Sequence, residues 1–199
     1  RTTAKVAEQL EAWGYEVKVG REIIAGERLG VPSLNDIDYF YQLAMQEGVS
    51  SKWLSKMEGG YTGVIAILDS GKPGPTIAFR VDIDALPITE ANDEAHIPQK
   101  LGFRSKLDGY MHACGHDSHI TIGLGLAEQL MLHSEKLKGK IKIIFQPAEE
   151  TGGGALAMIE RGVMQDVTHL FGVHLRPQEE LPLGKVTPAI YHGAAAFLG

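Results

Sequence analysis

Five short apolar runs alternate along the chain with segments of helical periodicity, and this alternation constrains the fold more than any other feature. The runs are YEVKV, GVIAILD, TIAFRVD, KIKIIFQP and THLFGVH. Near-continuously apolar strands separated by amphipathic helices are typical of a sheet that is covered on both faces. The sequence therefore predicts an α/β domain with a covered sheet.

Helical periodicity marks four segments between these runs. Helices are predicted over TTAKVAEQLEAWG, SLNDIDYFYQLAMQEG, SHITIGLGLAEQLMLHSEKLKG and GALAMIERG, each of which ends at a glycine. The runs GVIAILD (63–69) and TIAFRVD (76–82) are separated only by SGKPGP, a turn-rich connection. We therefore expect these two strands to form a hairpin or to lie side by side.

Composition excludes several classes of partner. The chain has 199 residues, 44% of them apolar, which suffices for one domain with a sizeable core or for part of a larger one. A formal charge of −6 argues against nucleic acid and anionic membranes as partners. No apolar run approaches the roughly 20 residues that span a bilayer. The single cysteine excludes an internal disulfide, so we predict a cytoplasmic protein.

The C-terminal ends of three predicted strands carry residues that are capable of acid–base or metal chemistry. These residues are Asp82, Asp84, Glu149, Glu150 and His174. In open α/β sheets this edge is where ligand crevices form. We therefore expect the strand-end residues to share one site with the motif GYMHACGHDSH (109–119).

That motif contains the only cysteine of the chain. Cys114 and His116 are separated by one glycine, and they can place a thiolate and an imidazole on the same divalent ion. The alternative is a buried structural cysteine beside a histidine that caps a helix. His112 and His119 are assigned only packing or local hydrogen bonding.

Glu149 and Glu150 are adjacent, so their side chains point in different directions. One carboxylate can bind a metal ion while the other faces a water molecule that the ion acidifies, which suits metal-assisted hydrolysis. A solvated acidic turn is the alternative. The preceding apolar strand directs the pair to the sheet edge rather than to open solvent.

The roles of His174, Asp82 and Asp84 stay open on the residues alone. A histidine at the end of an apolar strand is either a ligand or a hydrogen-bonded core residue. Asp82 and Asp84 flank Ile83 and share one face of the strand end. A carboxylate there can orient a ligating histidine, bind metal directly or cap the following turn.

Four motifs, in this order, resemble a known family. They are RVDIDALPITE, MHACGHDSHITIGLGLAEQL, KIIFQPAEETGGGALAMIERGVM and LFGVHLRP. Together they are similar to the metal-dependent peptidases and amidohydrolases of the aminoacylase/carboxypeptidase type, which include hippurate, N-acyl-amino-acid, auxin-conjugate and p-aminobenzoyl-glutamate hydrolases. The resemblance covers nearly the whole chain. The segment GVPSLNDIDYFYQLAMQEG is most similar to the p-aminobenzoyl-glutamate hydrolase branch.

The resemblance implies a role for each motif residue. The implied ligands of two divalent metal ions, zinc or manganese, are Cys114, His116, Glu150 and His174. Glu149 would be the general acid/base, and Asp84 would orient the metal site. Related peptidases carry a histidine ligand where this chain has Asp82, so the role of Asp82 stays open.

The resemblance also implies the architecture. It predicts a three-layer catalytic domain with a central, mostly parallel sheet covered by helices, interrupted by a lid or dimerisation domain. Residues 1–189 would be the N-terminal part of the catalytic domain, and residues 190–199 would begin the lid. We therefore expect an N-terminal fragment that lacks the lid and one further histidine ligand, and a homodimer in the full-length protein.

The leading hypothesis is a metal-dependent amidohydrolase that cleaves the amide bond of small N-acyl or aroyl amino acids, such as p-aminobenzoyl-glutamate. Metal-activated water would attack the carbonyl carbon with Glu149 as general acid/base. The alternatives are a hydrolase of other N-acyl amino acids or dipeptides, a non-catalytic metal-binding fragment, and a redox-sensitive domain in which Cys114 is a lone thiol.

Overall fold

A computed structural model of the chain describes residues 1–188. Its α-helices are α1 (Thr2–Ala12), α2 (Leu34–Gln46), α3 (Ser51–Leu54), α4 (Ile97–Lys100), α5 (His116–Leu132) and α6 (Gly154–Glu160). Its strands are β1 (Glu16–Val19), β2 (Val64–Asp69), β3 (Thr76–Asp82), β4 (Lys140–Gln146) and β5 (His169–Gly172). Short 3-10 helices lie at Gly20–Glu22, Ser55–Met57 and Ser134–Lys136. Each of the five apolar runs contains a strand, and each of the four predicted helical segments contains a helix.

The five strands form one sheet in the order β1-β2-β4-β3-β5. The pairs β1–β2 and β2–β4 are antiparallel, whereas β3 runs parallel to both β4 and β5. The sheet is thus mixed, and its parallel half consists of β4, β3 and β5. The C-terminal ends of these three strands lie at one edge, directly before the polar residues singled out in the sequence.

The predicted hairpin between β2 and β3 is wrong, because β4 lies between them. Phe145 of β4 pairs with Val64 of β2 on one side and with Val81 of β3 on the other. Six of the seven residues of β4 are buried, and such a strand is most favourable in the centre of a sheet. The turn-rich connection shows only that the chain reverses there; it does not determine which strands pair.

Alternate residues of the strands face two separate cores. Ile143 and Phe145 of β4 pack beneath α1, α3 and α5, whereas Ile144 packs in the core beneath α6. Helices therefore cover both faces of the sheet in a three-layer arrangement. The predicted α/β class with a helix-covered central sheet is confirmed.

Gly123 lets α5 approach the sheet closely. A Cβ atom at this position would lie 3.0 Å from side-chain carbons of both Val81 and Phe145. The glycine allows the helix that begins at His116 to pack directly on β3 and β4. This packing holds the start of α5 beside the ends of the parallel strands.

Within residues 1–188 the longest helix is α5, with 17 residues, and none of the helices has the length and apolar character needed to cross a membrane. The predicted start of a lid domain at 190–199 lies outside the described residues. The domain boundary at residue 189 stays a prediction.

Candidate metal centre

Three parallel strands and the start of α5 bring the predicted site residues to one place. The residues that converge there are Asp82 and Asp84 after β3, Glu149 and Glu150 after β4, His174 after β5, and Cys114 and His116 at the start of α5. Gly115, between the cysteine and the histidine, has a φ of 83°, a left-handed conformation that favours glycine. The tight Cys-Gly-His path expected from the sequence is therefore formed.

His116 lies at the centre of the cluster and is 1% exposed. Its Nδ1–H donates to the main-chain carbonyl oxygen of Asp84 across 3.0 Å, which leaves the lone pair on Nε2. Nε2 has no hydrogen-bond partner among the described residues. It lies 3.6 Å from Oε1 of Glu150 and 3.7 Å from Oε2 of Glu149. A buried imidazole lone pair that faces carboxylate oxygens is an environment suited to a cation.

Cys114, Glu150 and His174 complete a set of donor atoms around His116. The donor atoms of Cys114, His116 and Glu150 all lie within 4.8 Å of one another. Sγ of Cys114 lies 3.7 Å from Nε2 of His174. The Nδ1–H of His174 donates to the carbonyl oxygen of Leu175 across 2.6 Å, so its Nε2 also carries a lone pair on the side of the thiol. Four side chains thus direct sulfur, nitrogen and oxygen donors at a common space.

Asp84 connects two of these donors. Its carbonyl oxygen accepts the hydrogen bond from His116, and its Oδ1 lies 3.3 Å from the same Nδ1. Its Oδ2 accepts from the main-chain N–H of Glu150 across 3.1 Å. Asp84 therefore fixes the direction of one donor side chain and the backbone of another. The orienting role implied for it stays a prediction that this geometry supports.

Asp82 is fully buried, and both of its carboxylate oxygens accept hydrogen bonds. Oδ2 accepts from Nη1 of Arg80 across 2.8 Å, and Oδ1 accepts from Nδ1 of His119. Nε2 of His119 in turn accepts the N–H of Leu175 across 2.9 Å. The polar atoms of Asp82 and His119 are thus satisfied inside the protein, in contrast to Nε2 of His116.

The sequence left the role of Asp82 open and assigned His119 only packing or local hydrogen bonding. In the structure the two residues tie the end of β3 to α5 and, through Leu175, to the segment after β5. Arg80 was missed altogether. It stands two positions before Asp82 in an apolar strand, so it shares the same face, and a charged residue in that place was the available signal.

The cluster carries an excess of negative charge. Burial, together with the neighbouring carboxylates of Glu150, Glu149 and Asp82, raises the pKa of the Cys114 thiol to about 11. Burial alone would raise the pKa of Asp82, but the hydrogen bond from His119 and the nearby positive charge of Arg80 outweigh it and lower that pKa. A divalent cation would neutralise this charge and favour the thiolate.

The loop after β4 adopts an uncommon backbone conformation. Ala148 has a φ of 52°, in the left-handed region that residues other than glycine rarely occupy. The N–H groups of Gly153 and Gly154 both donate to the carbonyl oxygen of Ala148 across 3.2 Å. A Cβ atom on Gly154 would lie 1.6 Å from the carbonyl oxygen of Pro147. The tight loop that results presents the two glutamates to the cluster.

The donor set fits a divalent metal ion. It consists of one thiol, two imidazoles and one carboxylate, and this combination suits zinc and other first-row ions. Nε2 of His116 and Oε1 of Glu150 are buried polar atoms without partners among the described residues. Buried atoms of this kind are normally satisfied by a protein group, a water or an ion.

Residues 78–192, more than half of the chain, match the protein family described as peptidase family M20/M25/M40. The chain belongs to this family. The matched segment contains β3, β4, β5 and every residue of the cluster. The resemblance stated from the sequence motifs is therefore confirmed.

Two curated relatives of this M20 chain are hydrolases by name. The chain is 48% identical, over 176 residues, to the indole-3-acetyl-aspartic acid hydrolase of Enterobacter agglomerans. It is 47% identical, over 176 residues, to a p-aminobenzoyl-glutamate hydrolase polypeptide of Escherichia coli. Each alignment covers 88% of this chain and 40% of the relative. The chain thus spans well under half the length of the curated relatives it matches.

Two solved structures of M20 relatives share the fold. An aminobenzoyl-glutamate utilization protein from Klebsiella pneumoniae is 40% identical with a TM-score of 0.71, covering 88% of this chain and 38% of that protein. A Bacillus subtilis protein described as a dinuclear metal-binding peptidase is 37% identical with a TM-score of 0.61, covering 88% of this chain and 37% of that protein. Family membership and these likenesses agree with metal binding at the cluster.

Proposed function

We propose that the protein is a metal-dependent amidohydrolase that cleaves the amide bond between an acyl or aroyl group and an amino acid. The observation that carries the proposal is the convergence of Cys114, His116, Glu150 and His174 beside Glu149, whose carboxylate receives no hydrogen bond from the described residues. The names of the relatives support this chemistry, because each describes an aromatic acyl group joined to an acidic amino acid.

Four side chains are the proposed protein ligands of two divalent ions: Cys114, His116, Glu150 and His174. Zinc is favoured by the softness of thiolate and imidazole donors, with manganese as the alternative. When bound, such ions lower the pKa of water and polarise the carbonyl group of the substrate. The dinuclear relative supports the proposed number of ions.

Glu149 is the proposed general acid/base. Its Oε2 lies 3.7 Å from Nε2 of His116, and its side chain is 35% exposed, so it lies at the cluster yet is accessible to a substrate. It would accept a proton from the water that attacks the carbonyl carbon. It would then donate this proton to the amine nitrogen as the C–N bond breaks. Asp82 and Asp84 would hold the donors in position without touching the substrate.

A small N-acyl amino acid is the proposed partner of this site. The p-aminobenzoyl-glutamate class is favoured within it, since two of the similar proteins carry that compound in their names. The homodimeric state of the full-length protein and the cytoplasmic location stay predictions from the sequence.

Replacing Glu149 by Gln in the whole protein tests the proposal. We expect release of 4-aminobenzoate from N-(4-aminobenzoyl)-L-glutamate to slow by roughly 10²- to 10⁴-fold, while the metal content measured by mass spectrometry stays unchanged. Glu160→Gln, at an exposed position on α6, is the matched control. A Glu149→Gln variant with the wild-type rate would refute the assigned role. A wild type that binds metal but hydrolyses no N-acyl amino acid would favour the non-catalytic alternative.

A further inference from the structure

A cavity of about 990 Å³ opens beside the metal cluster. Asp84 and Glu150 line one end of it, so the cavity is continuous with the proposed catalytic centre. The helix α2 forms one wall, and the segment 85–111 forms the opposite wall. Its volume is at the upper end of the roughly 300–1,000 Å³ that is typical of small-molecule pockets.

Aromatic and aliphatic side chains dominate the two walls. Phe40 of α2 and Tyr110 of the opposite wall meet edge to face, with ring centroids 5.3 Å apart and planes at 87°. Leu43 and Met111 line the cavity beside them, and Phe103 lies at its rim with 61% of its surface exposed. Edge-to-face aromatic walls favour a flat aromatic ligand, which can add a further ring contact.

The wall formed by residues 85–111 has little regular secondary structure, but polar contacts hold it in place. The carboxylate of Glu90, which is 8% exposed, accepts from Nε2 of His96 across 2.8 Å and from the N–H of Ser105 across 2.6 Å. The guanidinium of Arg104 donates to the carbonyl oxygen of Glu90 across 2.8 Å and to the carboxylate of Asp108 across 3.0 Å. A wall fixed in this way reduces the ordering that ligand binding requires.

Charge decides which half of the substrate suits this cavity. An N-aroyl amino acid extends from its amide bond in two directions, toward an uncharged ring and toward a carboxylate. Arg28 lines the cavity, but its two terminal nitrogens donate to the carbonyl oxygens of Gly60 and Gly59 across 2.7 and 3.0 Å. Its guanidinium also stacks on the ring of Tyr61 at 3.7 Å. Arg28 is therefore engaged within the protein, and the apolar walls favour the ring.

We propose that this cavity binds the aromatic ring of the acyl group and that Phe40 and Tyr110 determine the preference for aroyl over small acyl substrates. The inference rests on the proposed amidohydrolase function, because that function places the scissile amide beside Glu150. The ring would lie against the edge-to-face pair, with the amino-acid half directed away from the cavity.

The test compares three ligands in the whole protein: N-(4-aminobenzoyl)-L-glutamate, N-(4-aminobenzoyl)-L-alanine and N-acetyl-L-glutamate. For Phe40→Ala and Tyr110→Ala we expect kcat/KM to fall roughly tenfold for both aroyl compounds and to stay unchanged for the acetyl compound. Calorimetric binding of the same ligands in the presence of EDTA should show the same pattern without turnover. Phe40→Leu keeps the site apolar and should give a smaller loss, which guards against misfolding of the Ala variant.

Tyr39→Ala is the matched control, because Tyr39 is the adjacent aromatic residue of α2, is 58% exposed and is not part of the cavity wall. The inference is overturned if the three cavity variants affect the acetyl and aroyl ligands alike, or if the loss follows the glutamate rather than the aroyl group. In either case hydrolysis by the wild type would still support the proposed function. Aroyl-selective binding without any hydrolysis would instead leave the cavity assignment standing and refute the amidohydrolase.

Discussion

Asp82 and His119 stand 37 positions apart in the chain and form a hydrogen-bonded pair in which both side chains are fully buried. The pair joins the end of β3 to the first turn of α5, and it extends through the N–H of Leu175 to the segment that carries His174. Three of the segments that carry metal donors or their neighbours are thus linked by two hydrogen bonds beneath the site.

We expect His119→Leu to destabilise the fold by about 3 kcal/mol, because it leaves the carboxylate of Asp82 and the N–H of Leu175 without these partners in a buried place. Urea unfolding in the presence of EDTA measures this effect apart from metal binding. His133→Leu, at the exposed end of α5, should change the free energy of unfolding by only about 0.5 kcal/mol. A loss below about 1 kcal/mol for His119→Leu would show that the pair contributes little.

Asp84→Ala should weaken zinc binding about tenfold. The substitution removes the carboxylate that accepts from the N–H of Glu150 and lies beside Nδ1 of His116, so both donors become less fixed. Isothermal titration with zinc chloride measures the affinity, and circular dichroism checks the fold. Asp38→Ala, on an exposed position of α2, should bind zinc as the wild type does. Equal affinities for the two variants would contradict the orienting role.

Gly154→Ala should destabilise the protein by about 3 kcal/mol or more, because the new Cβ would collide with the carbonyl oxygen of Pro147 and displace the loop that presents the glutamates. Gly125→Ala is the matched control: this helical glycine of α5 has no atom within 4 Å of a Cβ, and alanine there should stabilise by about 0.5–1 kcal/mol. Thermal unfolding of both variants measures the difference. Similar melting temperatures for the two variants would be inconsistent with the close approach.

Asp166 should contribute stability that depends on pH. The hydrogen bond from Lys142 lowers the pKa of its carboxyl below the ordinary value. A folded-state pKa below the unfolded one means that the contribution is complete above the unfolded pKa of about 4 and is lost as the pH falls through the folded value. Because the side chain of Asp166 is 46% exposed, we expect Asp166→Asn to lose only about 1 kcal/mol at pH 7. Urea unfolding at several pH values between 7 and 3 should show this difference shrinking at the acidic end; a difference independent of pH would rule out the linkage.

The elements and the chemistry-bearing residues could be predicted from the sequence, because strand and helix periodicities are local. The apolar run KIKIIFQP and the motif around Cys114 each indicated what they form and which side chains end there. Since residues at the C-terminal ends of parallel strands meet at one edge, Glu150 and His174 could be expected together from the sequence alone. The ordered motifs likewise sufficed to indicate the family.

The order of the strands and the partners of buried polar groups were decided by the tertiary structure. The turn between β2 and β3 favoured a hairpin, but the apolar character of β4 places that strand between them, because burial on both faces outweighs proximity along the chain. The pairing of Asp82 with His119 depends on how closely α5 packs against β3, which Gly123 permits and no local pattern encodes. Local sequence determines periodicity and chemistry, whereas contacts between distant segments depend on the packing of the whole core.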